Sequence, residues 1–207
     1  ERRTAAHELF LRLISAGQIS AFALTEPSAG SDSGGLQTRA VLKRAAVQTA
    51  DDGTKSFMVG DEQKILLDAA TVDVARIEYR DDGRYYNGKR FDDLAQVRRE
   101  TGAEYYEYYE LNGAKMWITN GHVAGVFCLY ALTPEGPTGF MVDRHSDGLV
   151  VGKDEEKMGQ RGSPTNELGL TSVRVPRENI IGIEGRGQVN ALETLNVGRT
   201  GLAISAA

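Results

Sequence analysis

A mainly β fold is predicted for this 207-residue chain by three features of its sequence. Short strand-like segments recur from about residue 20 to residue 176, and one of them, LQTRAVLKRAAVQ, alternates in part between apolar and polar residues. Several are separated by pairs typical of tight hairpin turns, namely Asp52-Gly53, Asp82-Gly83 and Asn112-Gly113. Helical periodicity does not alternate with these segments, which argues against a Rossmann fold. Short strands at regular spacing indicate a sandwich or a barrel.

The first elements follow from periodicity and stop signals. Residues 4–16 place Leu9, Leu13 and Ile14 on one helical face, and Gly17 is a typical helix end. An apolar strand over residues 19–26 then stops at Pro27, which cannot donate to a ladder. The later strand candidates are LQTRAVLKRAAVQ, KSFMVG, ATVDVARIEYR, EYYEYYELNG, KMWITNG, GVFCLYAL, TGFMVDR, GLVVGK and LGLTSVRVP.

Two segments interrupt the β pattern. Leu94 and Val97 stand three residues apart within residues 90–102, which predicts one isolated helix in a polar insertion. After Ile181 the chain is again helical by composition, with apolar residues on one face at Val189, Leu192 and Leu195. Two tyrosine pairs at 105–106 and 108–109 have acidic neighbours, which predicts a half-exposed strand rather than a base-stacking platform.

Composition excludes several classes of function. A formal net charge of −5 argues against a nucleic-acid surface, and the longest apolar run is too short to cross a membrane. The single cysteine, Cys128, lies in an apolar run and is predicted to be a buried small hydrophobe. His7, His122 and His145 lack metal-ligand spacing, so we expect structural roles and no metal. The chain begins at Glu1 without a signal-peptide pattern, so we expect a processed product or an excised fragment.

Five blocks of sequence resemble, in the same order, the acyl-CoA dehydrogenase family of flavoproteins. They are AFALTEPSAGSDSGG, LNGAKMWITNG, TGFMV, EKMGQRGSPTNELGLTSVRVPRENIIG and LNVGRTGLA. The resemblance implies that residues 1–19 end an N-terminal helical domain, 20–182 form a middle β-barrel domain, and 183–207 begin a truncated C-terminal helical bundle. It assigns no role to an insertion at about residues 44–109, where the family usually has a short hairpin.

The resemblance implies a reaction and its partners. The family removes the α proton and a β hydride from an acyl-CoA thioester, with FAD as cofactor and an electron-transfer flavoprotein as electron acceptor. It implies a homo-oligomer when full length, in the cytoplasm of a bacterium or in a mitochondrial matrix. Gly198 stands where some members carry the catalytic glutamate, so we expect the base beyond Ala207 and a fragment inactive on its own. An acyl-CoA oxidase, a flavin mono-oxygenase and a non-catalytic binding module remain alternatives.

The same resemblance implies the residues of the site. Those implied to contact FAD are Phe22, Ala23, Leu24, Thr25, Ser31, Trp117, Ile118 and Thr119. Those implied to contact the acyl-CoA substrate are Ser31, Arg161, Ser163, Asn196 and Arg199. Each also has an ordinary structural interpretation: a turn after a strand, a core tryptophan, a solvated loop, or a salt bridge on a helix surface.

Overall fold

The computed structural model describes residues 10–205 apart from short gaps, and the description below concerns those residues. Outside it lie residues 1–9, 12, 60, 68–75, 77, 81–82, 92, 95–97, 101–102 and 206–207, so the predicted role of His7 falls outside the described residues. The mainly β prediction is confirmed. The strands are β1 (Ser20–Ala23), β2 (Arg39–Thr49), β3 (Lys55–Val59), β4 (Glu62–Leu67), β5 (Glu78–Arg80), β6 (Gly83–Tyr86), β7 (Lys89–Phe91), β8 (Asp93–Leu94), β9 (Arg98–Glu100), β10 (Ala103–Thr119), β11 (Val126–Thr133), β12 (Gly136–Asp143), β13 (Leu149–Asp154), β14 (Thr165–Pro176) and β15 (Ile180–Ile181).

The main sheet runs in the order β13–β14–β10–β2–β11–β12–β15. Strands β2 and β11 meet at a single pair, Arg39 with Leu132, so the sheet divides there into two halves. Side chains of both halves form one buried core. Tyr109 of β10 packs its ring 5.1 Å from that of Phe140 in β12. The core therefore lies between the two halves, as in a sandwich.

The predicted closure of the barrel is wrong. In the described chain the two end strands, β13 and β15, do not pair with each other. The strand β15 has two residues, and the pairing of β13 with β14 is irregular between Val151 and Asp154. With two residues, β15 is too short to form an extended ladder with β13.

Helical segments flank the sheet as predicted. The first ends where Gly17 adopts a φ of +86°, and the Gly17 and Gln18 amides donate to the carbonyls of Ile14 and Leu13. The C-terminal helix α1 spans Gly187–Ser205. No helix among the described residues is long and apolar enough to cross a membrane.

The insertion forms a second layer on the outer face of the sheet. Strands β3 and β4 form a hairpin that pairs with the far end of β2. Phe57 of this hairpin is fully buried and lies 4.2 Å from Tyr106, ring centroid to ring centroid. Tyr106 and Tyr108 face this hairpin, whereas Tyr109 and Leu111 face the main core.

Three of the four tyrosines are buried, two under the hairpin and Tyr109 in the main core, so the predicted half-exposed strand is wrong in its exposure, although the segment is a strand as predicted. The inserted hairpin covers the face that the sequence pattern left to solvent. Glu107, between the two pairs, is 1% exposed and accepts hydrogen bonds from Arg44 at 2.8 Å and Arg177 at 2.9 Å. Burial alone would raise the pKa of Glu107, but these hydrogen bonds outweigh it and hold the pKa below its usual value.

The helix predicted at residues 90–102 is also wrong. The described part of this segment belongs to β7, β8 and β9. Leu94 pairs in parallel with Leu67 of β4, and Arg98–Glu100 forms a hairpin with the start of β10. These strand pairings, one with the neighbouring β10 and one with the more distant β4, override a weak local helical pattern.

Candidate functional site

A cleft of about 690 Å³ opens where four elements meet. They are β1, the loop that follows it, the end of β10 and the helix α1. Its lining residues are Ser20, Ala21, Phe22, Leu24, Thr25, Gly30, Ser31, Trp117, Ile118, Thr119, Asn120, Leu192, Leu195 and Arg199. This volume falls within the range of small-molecule and cofactor sites.

The loop after β1 is fastened to β10 by its backbone. The carbonyl of Thr25 accepts a hydrogen bond from the amide of Met116 at 2.9 Å. Glu26 and Ala29 then pair through both of their amides and carbonyls, which closes a tight turn. Because this turn reverses the chain, Gly30 and Ser31 return to the cleft beside Thr25.

A bulge in β10 brings Trp117 into the cleft. The pairing of β10 with β14 is interrupted between Lys115 and Ile118, where Met116 and Trp117 stand opposite the single residue Glu167, so β10 carries one extra residue. Trp117 adopts a φ of +60°, in the left-handed region that a bulky residue rarely occupies. Trp117 is 55% exposed and lines the cleft, whereas Ile118, which also reaches the cleft, is 2% exposed and belongs to the main core. The core-tryptophan interpretation is therefore wrong.

The helix α1 forms the third wall. Ala191 is buried with Leu24 in a small apolar cluster, against which Leu195 and Phe22 pack. Leu195 and Leu192 give this wall an apolar surface, and Arg199 lies one turn further on. Arg199 donates to Asn196 at 3.1 Å and forms no ion pair within the described chain, so the predicted alternative of a surface salt bridge is not observed.

A buried ion pair lies behind the cleft. Lys115 is completely buried and donates to the Glu26 carboxylate at 2.7 Å and to the Leu24 carbonyl at 3.3 Å. Burial lowers the pKa of Lys115 to about 8. Burial alone would raise the pKa of Glu26, but hydrogen bonds from Lys115 and from the Thr38 and Gln37 amides outweigh it and keep the pKa below its usual value.

Most of the predicted site residues come together. The cleft contains seven of the eight residues implied for FAD, namely Phe22, Leu24, Thr25, Ser31, Trp117, Ile118 and Thr119. Ala23 is fully buried in the main core and does not line the cleft.

Of the residues implied for the substrate, Ser31 and Arg199 line the cleft, whereas Arg161, Ser163 and Asn196 do not. Arg161 donates to the carbonyl of Lys157, and Lys157 donates to the carbonyl of Ser163, so these residues close their own loop. That loop touches the rim of the cleft where the amide of Asn120 donates to the Pro164 carbonyl.

Sequence reasoning missed part of the lining. Asn120, with a φ of +65°, begins the turn after β10 and contributes an amide group. The Asn-Gly pair at 120–121 was a usable turn signal for it. The sequence predicts Leu192 and Leu195 on one helical face, but nothing in the local sequence indicates what that face packs against.

The remaining candidates have structural surroundings. Cys128 is partly buried in β11, where burial raises the pKa of its thiol to about 11, in keeping with a small hydrophobe. His122 lies 3.4 Å from Asp154, and the amide of His145 donates to the side chain of Asp143. Within the described residues no group of His, Cys, Asp or Glu could hold a metal ion.

The cleft is suited to a flat ligand with a polar edge and an anionic part. Trp117, Leu192 and Leu195 offer apolar surface, and four hydroxyls and one amide offer donors and acceptors. Arg199 is the one cation among the described lining residues. No carboxylate lines the cleft in the described chain, so these residues can bind and orient a ligand but do not supply a strong base there.

Comparisons with known proteins converge on one family. The family model for the acyl-CoA dehydrogenase middle domain matches residues 91–173. An acyl-CoA dehydrogenase of Bacillus subtilis (strain 168) is 32% identical over 199 residues, which are 94% of this chain and 36% of that protein. The chain thus spans little more than a third of this relative.

Two solved structures extend the comparison. An acyl-CoA dehydrogenase complexed with FAD from Bacillus anthracis superposes with a TM-score of 0.52 at 28% identity, over 86% of this chain and 20% of that one. A chain in a structure described as the electron transferring flavoprotein of Acidaminococcus fermentans superposes with a TM-score of 0.60 at 28% identity, over 95% of this chain and 37% of that one.

Proposed function

Because the chain belongs to the acyl-CoA dehydrogenase family, we propose that its cleft binds FAD and serves the α,β-dehydrogenation of an acyl-CoA thioester. The observation that carries the proposal is the convergence of Thr25, Ser31, Trp117 and Thr119 on one cleft. These residues come from segments about 90 residues apart, and nothing in their local sequence requires them to meet.

Different residues of the cleft contact different parts of FAD. The hydroxyls of Thr25 and Thr119 form hydrogen bonds with the polar edge of the flavin ring. These bonds replace the hydrogen bonds to water that the edge loses when FAD binds. Trp117 supplies flat apolar surface beside the ring and excludes water. Ser31 and Arg199 bind the anionic groups of the cofactor and of the acyl-CoA through hydrogen bonds and, for Arg199, its positive charge. When bound, FAD supplies the acceptor for the hydride that leaves the β carbon.

The described cleft residues do not include a group that would remove the α proton. The described cleft lining has no carboxylate, and Gly198 precedes Arg199 where some relatives carry their base. We therefore propose that the base comes from outside residues 1–207, and that these residues bind FAD without turning over acyl-CoA. Detectable turnover by the 207-residue chain would contradict this.

FAD titration followed by flavin absorbance tests the proposal. Thr119→Val and Thr25→Val each remove a hydroxyl from the cleft while keeping the side-chain shape. Each should weaken FAD binding by about 2- to 10-fold, the equivalent of one net hydrogen bond. Thr171→Val, at an exposed position of β14 outside the cleft, is the matched control. Failure of the wild type to bind FAD, or equal binding by all variants, would refute the proposal.

We propose that the electrons pass to an electron-transfer flavoprotein. The family membership supports it, and reoxidation of the reduced protein is the discriminating measurement. Slow reoxidation in air with fast transfer to the flavoprotein is the expected result. Rapid reoxidation in air would instead favour an acyl-CoA oxidase or a flavin mono-oxygenase.

A further inference from the structure

We propose that the buried Glu26–Lys115 ion pair is the positioning element of the cleft, which fixes the loop after β1 relative to the bulged end of β10. Its role in cofactor binding rests on the function proposed above. Glu26 and Lys115 do not line the cleft, so they act through their neighbours.

The two residues adjoin opposite walls of the cleft. Glu26 directly follows Leu24 and Thr25, and Lys115 directly precedes Met116 and Trp117. Lys115 Nζ donates both to the Glu26 carboxylate, at 2.7 Å, and to the Leu24 carbonyl, at 3.3 Å. One ammonium group thus holds the loop at two points within three residues.

Glu26 extends the link to a third segment. Its second oxygen accepts from the Gln37 amide at 2.6 Å, and the oxygen that meets Lys115 also accepts from the Thr38 amide at 3.1 Å. The chain that enters β2 is therefore tied to the same carboxylate. All these partners are distant in sequence, so the pair joins segments that have no local reason to stay together.

The position of Lys115 explains how the Glu26–Lys115 ion pair affects the backbone conformation of Trp117. Lys115 is the last residue in register with β14 before the bulge, and Trp117 then occupies its unusual φ of +60°. A strained conformation of this kind persists only where its surroundings hold it. The lysine, fixed on one side by β14 and on the other by Glu26, anchors the start of the bulge.

Variants that break the link test the inference, with a buried carboxylate elsewhere as control. Glu26→Gln and Lys115→Met remove one partner each, and the double variant removes both. Glu107→Gln is the matched control, because Glu107 is equally buried and doubly hydrogen-bonded but has no part in the cleft. Urea denaturation verifies that each variant is folded.

Trp117 supplies a readout that needs no flavin, since it is the only tryptophan of the 207-residue chain. We expect its emission maximum and its quenching by acrylamide to change in both single variants and to match the wild type in Glu107→Gln. In the single variants FAD should bind about 10-fold or more weakly, as misplaced walls lose the aligned contacts. Unchanged Trp117 emission in the single variants would overturn the inference.

The double variant separates positioning from a purely structural role. Removing both charges relieves the unpaired buried charge, so stability should recover relative to the single variants. The link remains absent, so the altered Trp117 emission and the weakened FAD binding should persist. If the Trp117 emission and the FAD affinity returned to wild-type values together with stability, the inference would be overturned. If the wild type binds no FAD, the proposed function fails, whereas the Trp117 readout still decides whether the pair positions the bulge.

Discussion

Replacing Phe57 with alanine should lower the free energy of unfolding by about 3–5 kcal/mol. Phe57 is fully buried between the inserted hairpin and β10, and its ring centroid lies 4.2 Å from that of Tyr106 and 6.2 Å from that of Tyr108. The substitution removes the whole ring and leaves a cavity between two layers of strands. Two lost aromatic contacts, at about 0.5–1.5 kcal/mol each, place the cost toward the upper end of that range.

Urea denaturation followed by far-UV circular dichroism measures this cost. Met58→Ala is the matched control, because the neighbouring side chain points the other way and is 42% exposed. It should cost less than about 1 kcal/mol. A single transition is expected, since β2 and β10 belong to both the main core and the inserted layer. If Phe57→Ala cost no more than Met58→Ala, the inserted hairpin would not be packed as described.

Two further predictions concern the effect of low pH on stability and the effect of a side chain at Gly113. Stability should fall as pH drops below about 4.5, since three carboxylates with a lowered pKa lose their bonded, charged form there, and urea midpoints at pH 6 and pH 3 should differ accordingly. These are Glu26, Glu107 and Asp147, the last of which accepts hydrogen bonds from Lys64 at 2.9 Å and from Arg174 at 3.1 Å. Gly113→Ala should cost about 1–3 kcal/mol in urea denaturation, because a Cβ there would lie 2.7 Å from the Thr38 Cα. A Cβ at Gly162 would meet open space in the described chain, so Gly162→Ala should cost less than about 0.5 kcal/mol, and equal costs would contradict the packing. An unchanged urea midpoint in acid would contradict the bonding of the three carboxylates.

The sequence predicted those parts of the fold that have strong local signals. Gly17 ends the first helix, and the apolar runs GVFCLYAL and TGFMVDR correspond to a regular hairpin of β11 and β12. The helix predicted at residues 90–102 is wrong because the described part of the segment pairs as strands, with the neighbouring β10 and with the more distant β4, and its weak helical pattern does not reveal these partners. The burial of Tyr106 and Tyr108 is not predicted from the sequence, because the hairpin that covers them lies about 40 to 50 residues earlier in the chain.

The candidate site also contains some residues that the sequence predicts and some contacts that it does not. Thr25, Trp117 and Thr119 were identified by resemblance to a family, and the structure places them around one cleft. The partnership of Glu26 and Lys115 was not predicted, because the two residues are 89 positions apart and neither type is expected in a core. Only the folded arrangement brings the carboxylate to the ammonium group.

Quenching of Trp117 fluorescence by FAD tests the central claim most directly. The account predicts that adding FAD to the 207-residue chain quenches the emission of Trp117 in a saturable way, with one FAD per chain, because the indole lies in the cleft. Emission that stays unchanged while FAD binds, or no FAD binding at all, would contradict the assignment of this cleft as the flavin site.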